Sequence, residues 1–342
     1  CAHANVQPHS GSQANQTAYL ALLEPGDRIL SMDLAAGGHL SHGAKVNQTG
    51  KLYDVARYGV GHDSERIEMD EVARIARDHR PKLILAGGSA YPRAIDFEAF
   101  RGIADEVGAV LMVDIAHIAG LIAGGAHPSP FPYADVVTTS TYKTLRGPRG
   151  GLVLTDDPGL AKRIDSALFP GLQGTPSLQA IAAKAACFGE ALRPAFRDYA
   201  RAVVDHAGIL GQVLRGRGYR LVSDGTDTSM ILLDLRPQGM TGRTASDRLE
   251  AAGLICNMNA VPLDPERPTV TSGLRLSSNT GTTRGFDGAV FERVGGLVAD
   301  VLDELAADPD GAPGAAFSAA REAVAEICAA HPFYETARYE TA

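Results

Sequence analysis

Between residues 10 and 155, short runs of β-branched and aliphatic residues alternate with segments whose apolar residues fall at helical spacing, and nothing else in the 342-residue chain restricts its fold as much. Residues 28–32, 52–58, 82–86, 110–115, 135–139 and 151–155 read as strands. Residues 70–79 carry Val72, Ile75 and Ala76 on one helical face, and residues 97–107 carry Phe100, Ile103, Ala104 and Val107. Such alternation implies βαβ units and a large, mostly parallel sheet covered on both faces. Ligands of these sheets bind beyond the carboxyl ends of the strands, so the polar residues ending each run are the ones to question.

From about residue 176 to 214 the pattern turns helical, with Pro194 interrupting it. Residues 220–222, 230–235 and 273–276 then read as strands of a second sheet. Helices over 245–252, 290–306 and about 317–329 would cover it. The expected organisation is an α/β large domain over residues 1–200 and a smaller C-terminal α+β domain over 201–342. The chain opens on Cys1 rather than Met, which raises the expectation that an N-terminal segment is missing.

Composition narrows the function. Hydrophobic residues make up 45% and charged residues 21%, enough for a buried core. Acidic residues number 40 against 32 basic ones, a net charge of −8 that argues against a nucleic-acid or anionic-membrane binder. Cys1, Cys187, Cys256 and Cys328 lie far apart without a Cys-x-x-Cys pair, which disfavours a disulfide framework or zinc site and points to the cytoplasm. Residues 107–126 are almost wholly apolar, but Asp114 and His117 sit near the middle, as in a buried strand running into a loop.

Four polar clusters stand at the ends of these runs. Asp114 closes a run of apolar residues, where a carboxylate must find donors or a cation; a turn-capping Asp would look the same. Thr138-Thr139-Ser140-Thr141-Tyr142-Lys143 ends another, and a lysine at a buried strand end can attack a carbonyl. Ser10-Gly11-Ser12 precedes a helical run to Leu23, which suits either a simple N-cap or a phosphate at a helix N-terminus. His39 and His42 are three apart, but no further ligand supports a metal, so no metal is expected. An amine, an acid and an anion cradle together match the needs of pyridoxal 5′-phosphate.

At these residues the sequence resembles serine hydroxymethyltransferase, a fold-type I pyridoxal-phosphate family of the aspartate-aminotransferase-like class. The resemblance runs through nearly the whole chain, from Asn5-Val6-Gln7-Pro8-His9-Ser10-Gly11-Ser12-Gln13-Ala14-Asn15 through Leu22-Leu23-Glu24-Pro25-Gly26-Asp27, Gly37-Gly38-His39-Leu40, Ser89-Ala90-Tyr91, Asp114-Ile115-Ala116-His117, Gly147-Pro148-Arg149-Gly150-Gly151, Phe169-Pro170-Gly171 and Thr271-Ser272-Gly273-Leu274-Arg275 to Ile327-Cys328-Ala329. It implies Lys143 as the Schiff-base lysine, Asp114 against the pyridinium nitrogen and His39 stacked on the ring. It further implies Gly11 and Ser12 at the phosphate, Ser89 and His117 at the phenolic oxygen or substrate carboxylate, and Tyr142 beside the cofactor. Arg275 would grip the amino-acid carboxylate. Leu34, Gly38, Leu40 and Asn259 would meet the folate. Gly174 and Thr175 would reach a neighbouring subunit's phosphate, which implies a homodimer or larger homo-oligomer. The implied reaction moves the serine hydroxymethyl carbon reversibly to tetrahydrofolate, leaving glycine.

Several positions depart from the family pattern. Tyr142 stands where His is usual, and a phenol with an ordinary pKa near 10 does not readily become a cation, unlike an imidazole near 6.5. Thr175 replaces a glycine, and Leu276-Ser277-Ser278-Asn279-Thr280 replaces the usual turn after the arginine. These changes leave open a threonine-type transaldolase with an aldehyde acceptor or an α-methylserine hydroxymethyltransferase. The missing segment leaves open a non-catalytic binding protein.

Overall fold

A computed structural model describes residues 1–309 and 311–333. The chain divides into two compact units, Cys1–Arg201 and Ala202–Ala342. In the first unit, strands β1 (His3–Asn5), β2 (Arg28–Met32), β3 (Asp54–Tyr58), β4 (Leu83–Ala86), β5 (Val110–Asp114), β6 (Val136–Ser140) and β7 (Gly151–Thr155) form one sheet in the order β1-β7-β6-β5-β4-β2-β3. Helices α1 (Gly11–Leu22), α2 (Gln48–Leu52), α3 (Met69–His79), α4 (Phe97–Val107), α5 (Ala119–Ala123), α6 (Pro158–Leu168) and α7 (Leu178–Ala191) belong to the same unit. The division falls within α8 (Pro194–Gly216).

The five strands from β3 to β6 pair in parallel, whereas β7 runs antiparallel to β6 and β1 antiparallel to β7. The parallel core follows from composition: every residue of β4 and β6 is buried, as a strand covered on both faces requires. The reversal at β7 has a local cause. Only ten residues separate β6 from β7, too few for the crossover a parallel neighbour needs. Residues 48–52, partly expected as strand, form α2 because the Asn47 side chain accepts the Thr49 N–H at 3.1 Å and caps a helical turn.

Helix α4 shows how the periodicity is realised. Phe97, Phe100, Ile103 and Ala104 are its buried residues, Asp96 caps its N-terminus, and Gly108 ends it in the left-handed region. On α1, Ala14, Ala18 and Leu22 pack with Ile29, Leu83, Met112, Val136 and Val153 of the sheet. Asn15 lies among the buried residues of the same helix.

In the second unit, β8 (Arg220–Leu221), β9 (Met230–Asp234), β10 (Asn257–Asn259) and β11 (Gly273–Ser277) make an antiparallel sheet in the order β10-β11-β9-β8. Helices α9 (Gly242–Ala251), α10 (Asn279–Thr283), α11 (Gly288–Ala307) and α12 (Ala315–Ala330) complete it. Its core joins Leu233, Leu274, Leu249, Val298, Leu302 and Ala320. Among the described residues, no helix is long and apolar enough to cross a membrane.

Phe100 is fully buried and its ring lies 5.5 Å from that of Tyr58. Phe100→Ala is expected to cost about 3–5 kcal/mol, measured as a lowered urea midpoint of the first unit's unfolding.

Candidate active site

Because β2, β4, β5 and β6 are parallel, their carboxyl ends open at one edge of the sheet. The chain leaving each end contributes to a single cleft. Its lining includes Gly11, Ser12, Asn15, His39, His42, Gly88, Ser89, Asp114, Ala116, His117, Tyr142 and Lys143, around about 350 Å³ of space partly open to solvent. Asp114 is the last residue of β5 and pairs in register with Thr138 of β6, and Lys143 follows the end of β6 by three residues. Gly37 shapes the loop after β2. Its φ of +110° suits glycine, and its carbonyl accepts the N–H groups of Ser89 at 2.7 Å and Ala90 at 3.1 Å, tying that loop to the one after β4.

Asp114 is buried, and its carboxylate is surrounded by donors. Oδ2 accepts from His42 Nε2 at 3.0 Å and Asn15 Nδ2 at 2.8 Å, and Oδ1 accepts from the Ala116 N–H at 2.9 Å. Burial alone would raise its pKa, but the His42 hydrogen bond and charge, with Asn15 and Ala116, overcome that and hold it well below the usual carboxylate range. The His39 N–H points at His42 Nδ1 across 3.4 Å, and Nε2 of the same ring faces the carboxylate.

The network continues through α1. Asn15 Oδ1 accepts from Thr138 Oγ1 at 2.6 Å, while Nδ2 also donates to Ser41 Oγ at 2.9 Å. Ser41 Oγ lies 2.7 Å from His39 Nδ1, and the Ser41 N–H donates to the same nitrogen at 3.2 Å. One carboxamide thus links the acid to the imidazole of His39. Burial, then the neighbouring His42, lowers the His39 pKa and favours a neutral ring. Asn15, Ser41, His42 and Thr138 received no site role from the sequence. Asn15 carried a usable signal, since an amide on the apolar face of a helix needs a buried partner.

At the start of α1 the Ser10 side chain accepts the Gln13 N–H at 3.1 Å, so Gly11 and Ser12 stand in the first turn, where backbone N–H groups have no intrahelical acceptor. Tyr142 is partly exposed. Lys143 Nζ lies 5.5 Å and the Arg149 guanidinium 4.7 Å from its ring centroid.

The other expected site residues lie outside this cleft lining. Leu34 and Leu40 are exposed on short helical turns, and Gly38 is buried between them. Gly174 and Thr175 are exposed between α6 and α7. Arg275 stands on β11 of the second unit, directly opposite Asn257, and its Nε donates to Asn257 Oδ1 at 3.2 Å. Asn259 is two residues along β10, on the same face as Asn257, and donates to the Ala260 carbonyl at 2.8 Å.

A family model described as serine hydroxymethyltransferase matches residues 1–298. The chain belongs to the serine hydroxymethyltransferase family. It is 58% identical over 334 residues to a serine hydroxymethyltransferase of Rhodospirillum centenum, covering 98% of this chain and 78% of that protein. It is 56% identical over 335 residues to one from Paramagnetospirillum magneticum, again covering 98% and 78%. Over 334 residues it is 55% identical to serine hydroxymethyltransferase 2 of Rhodospirillum rubrum, covering 98% of this chain and 77% of the relative. The serine hydroxymethyltransferase family is of fold type I, depends on pyridoxal phosphate and uses tetrahydrofolate as cosubstrate.

Folding depresses the Asp114 pKa, so its carboxylate stabilises the folded chain above its ordinary value of 3.8, and that contribution fades as the pH falls below it. Asp114→Asn is therefore expected to flatten the dependence of the urea midpoint on pH below about 4. An unchanged slope would mean that the carboxylate is not held ionised.

Proposed function

We propose that this chain transfers the hydroxymethyl carbon of serine reversibly to tetrahydrofolate, leaving glycine, with pyridoxal 5′-phosphate held in the cleft of the first unit. The observation that carries the reading is one cleft lined by Lys143, Asp114 and the start of α1, in a chain of this family. The named relatives favour this reaction over the aldehyde-acceptor and non-catalytic alternatives.

The donor set fits the cofactor. Lys143 Nζ would hold its aldehyde carbon. The Asp114 carboxylate would keep the ring nitrogen protonated: a pair about 4 Å apart at an effective dielectric near 20 is worth roughly 4 kcal/mol, about three pKa units. His39, neutral and hydrogen-bonded through Nδ1, would lay its face on the ring. Gly11 and Ser12 would offer N–H groups to the phosphate at the positive end of α1. When bound, the cofactor supplies an electron sink for charge developing at the amino acid's α-carbon.

Around that ring, Ser89 and His117 would hold the phenolic oxygen or the substrate carboxylate, and Tyr142 would flank the lysine. Arg275 would take the substrate carboxylate with its planar fork, a task that suits it better than lysine. Leu34, Gly38, Leu40 and Asn259 would meet the pterin. Gly174 and Thr175 would approach the phosphate of a second copy. Leu20, Leu52 and Leu172, at 48%, 37% and 36% exposure, line one shallow surface recess that a second copy would cover. The assembly is a homodimer or larger. Four free cysteines suit a reducing cytoplasm.

The purified protein is expected to be yellow and to form glycine from serine only with tetrahydrofolate present. A yellow protein without this turnover would refute the reading. Lys143→Ala should abolish the colour and the turnover. Asp114→Asn should keep the fold and lose about a thousandfold in turnover, the kinetic equivalent of roughly 4 kcal/mol; near-normal rates would show that the acid is misassigned.

A further inference from the structure

Lys184 of α7 is almost fully buried, at 2% exposure. Its Nζ donates to three backbone carbonyls, Val6 O at 2.6 Å, Pro8 O at 3.1 Å and Gly151 O at 3.0 Å. An ammonium has three N–H donors, and each finds an acceptor here. No carboxylate partners it among the described residues. Burial lowers its pKa to about 8, which leaves it mostly charged at neutral pH. A buried charge without a counter-ion is costly, and an aliphatic side chain would fill the same space without that cost.

Two of these carbonyls, those of Val6 and Pro8, belong to the segment leading into α1, and the third, Gly151 O, to the first residue of β7. Pro8 O also accepts the Gly151 N–H at 2.8 Å, so the segment is fixed both to β7 and to the ammonium. Gly11 follows Pro8 by three positions, which limits their Cα separation to roughly 10 Å. Gly150 is small for the same reason: a Cβ there would lie 2.3 Å from Lys184 Cε and 2.7 Å from Nζ.

We infer that Lys184 is a positioning residue for the cofactor's phosphate, fixing the entry to α1 and placing a positive charge behind the Gly11–Ser12 cradle. This rests on the phosphate placement proposed above. A phosphate in the cradle supplies the countercharge that Lys184 lacks, which accounts for retaining an ammonium where packing alone does not need one.

The test titrates the cofactor-free chain with pyridoxal phosphate and with pyridoxal, which keeps the ring and aldehyde but lacks the phosphate, following the absorbance of the bound form. Wild type is expected to prefer pyridoxal phosphate. Lys184→Met is expected to reduce that preference about tenfold, as loss of one poorly screened charge at roughly 10 Å implies, while pyridoxal affinity holds within about twofold. Gly150→Ala places a Cβ 2.3 Å from Lys184 Cε and 3.1 Å from Thr141 Oγ1, so it displaces the ammonium and should shift the preference the same way, which reads the proposal should Lys184→Met fail to fold. An unchanged preference, or equal losses for both ligands, would overturn the role of Lys184. No preference in wild type would instead overturn the phosphate placement, and the inference with it.

Discussion

A carboxylate kept ionised inside the protein is the condition on which the first unit depends. Asp114 sits at a strand end among apolar neighbours, where burial by itself would neutralise it. Its donors come from three separate places: Asn15 on α1, His42 in the loop after β2, and the backbone just beyond β5. Satisfying one acid therefore requires an early helix and two strand-end loops to converge. The strand order β6-β5-β4-β2 makes this possible by opening adjacent carboxyl ends at the same edge.

Helix α1 serves that arrangement in two directions. Its first turn presents N–H groups to the cleft, and its inward face carries Asn15, which joins Asp114, Thr138 and Ser41. Through Ser41 the orientation of the His39 imidazole is coupled to that of the acid. Lys184 secures the chain entering the same helix. In the second unit, antiparallel pairing sets Arg275 opposite Asn257, and that hydrogen bond steadies a guanidinium suited to a planar carboxylate.

Much of the first unit was legible because its elements bury faces with clean periods. At residues 28–32, 97–107 and 151–155 the bounds of the sequence pattern coincide with those of the folded elements. Direction was not legible: apolar alternation around 151–155 is the same for either polarity, and only the short connection from β6 makes β7 antiparallel. Strand β1 has three residues and α6 begins on a Pro after an Asp cap, signals too brief or too local to stand out. At the cleft, Asp114 and Lys143 were conspicuous as polar residues ending apolar runs. His42 was not, since beside His39 it read as half of a weak metal pair. In the structure it turns instead to a carboxylate 72 residues away.

By itself, then, the sequence determined the βαβ architecture, the apolar faces and the chemical kinds of group gathered at the strand ends, because periodicity and residue type are local properties. The tertiary structure decided which of those groups touch. His42 turns to the acid, Asn15 becomes a bridge, and Lys184 becomes a buried clamp, because hydrogen bonds between distant segments depend on strand order and loop path. A chain of residue types does not carry that information until it has folded.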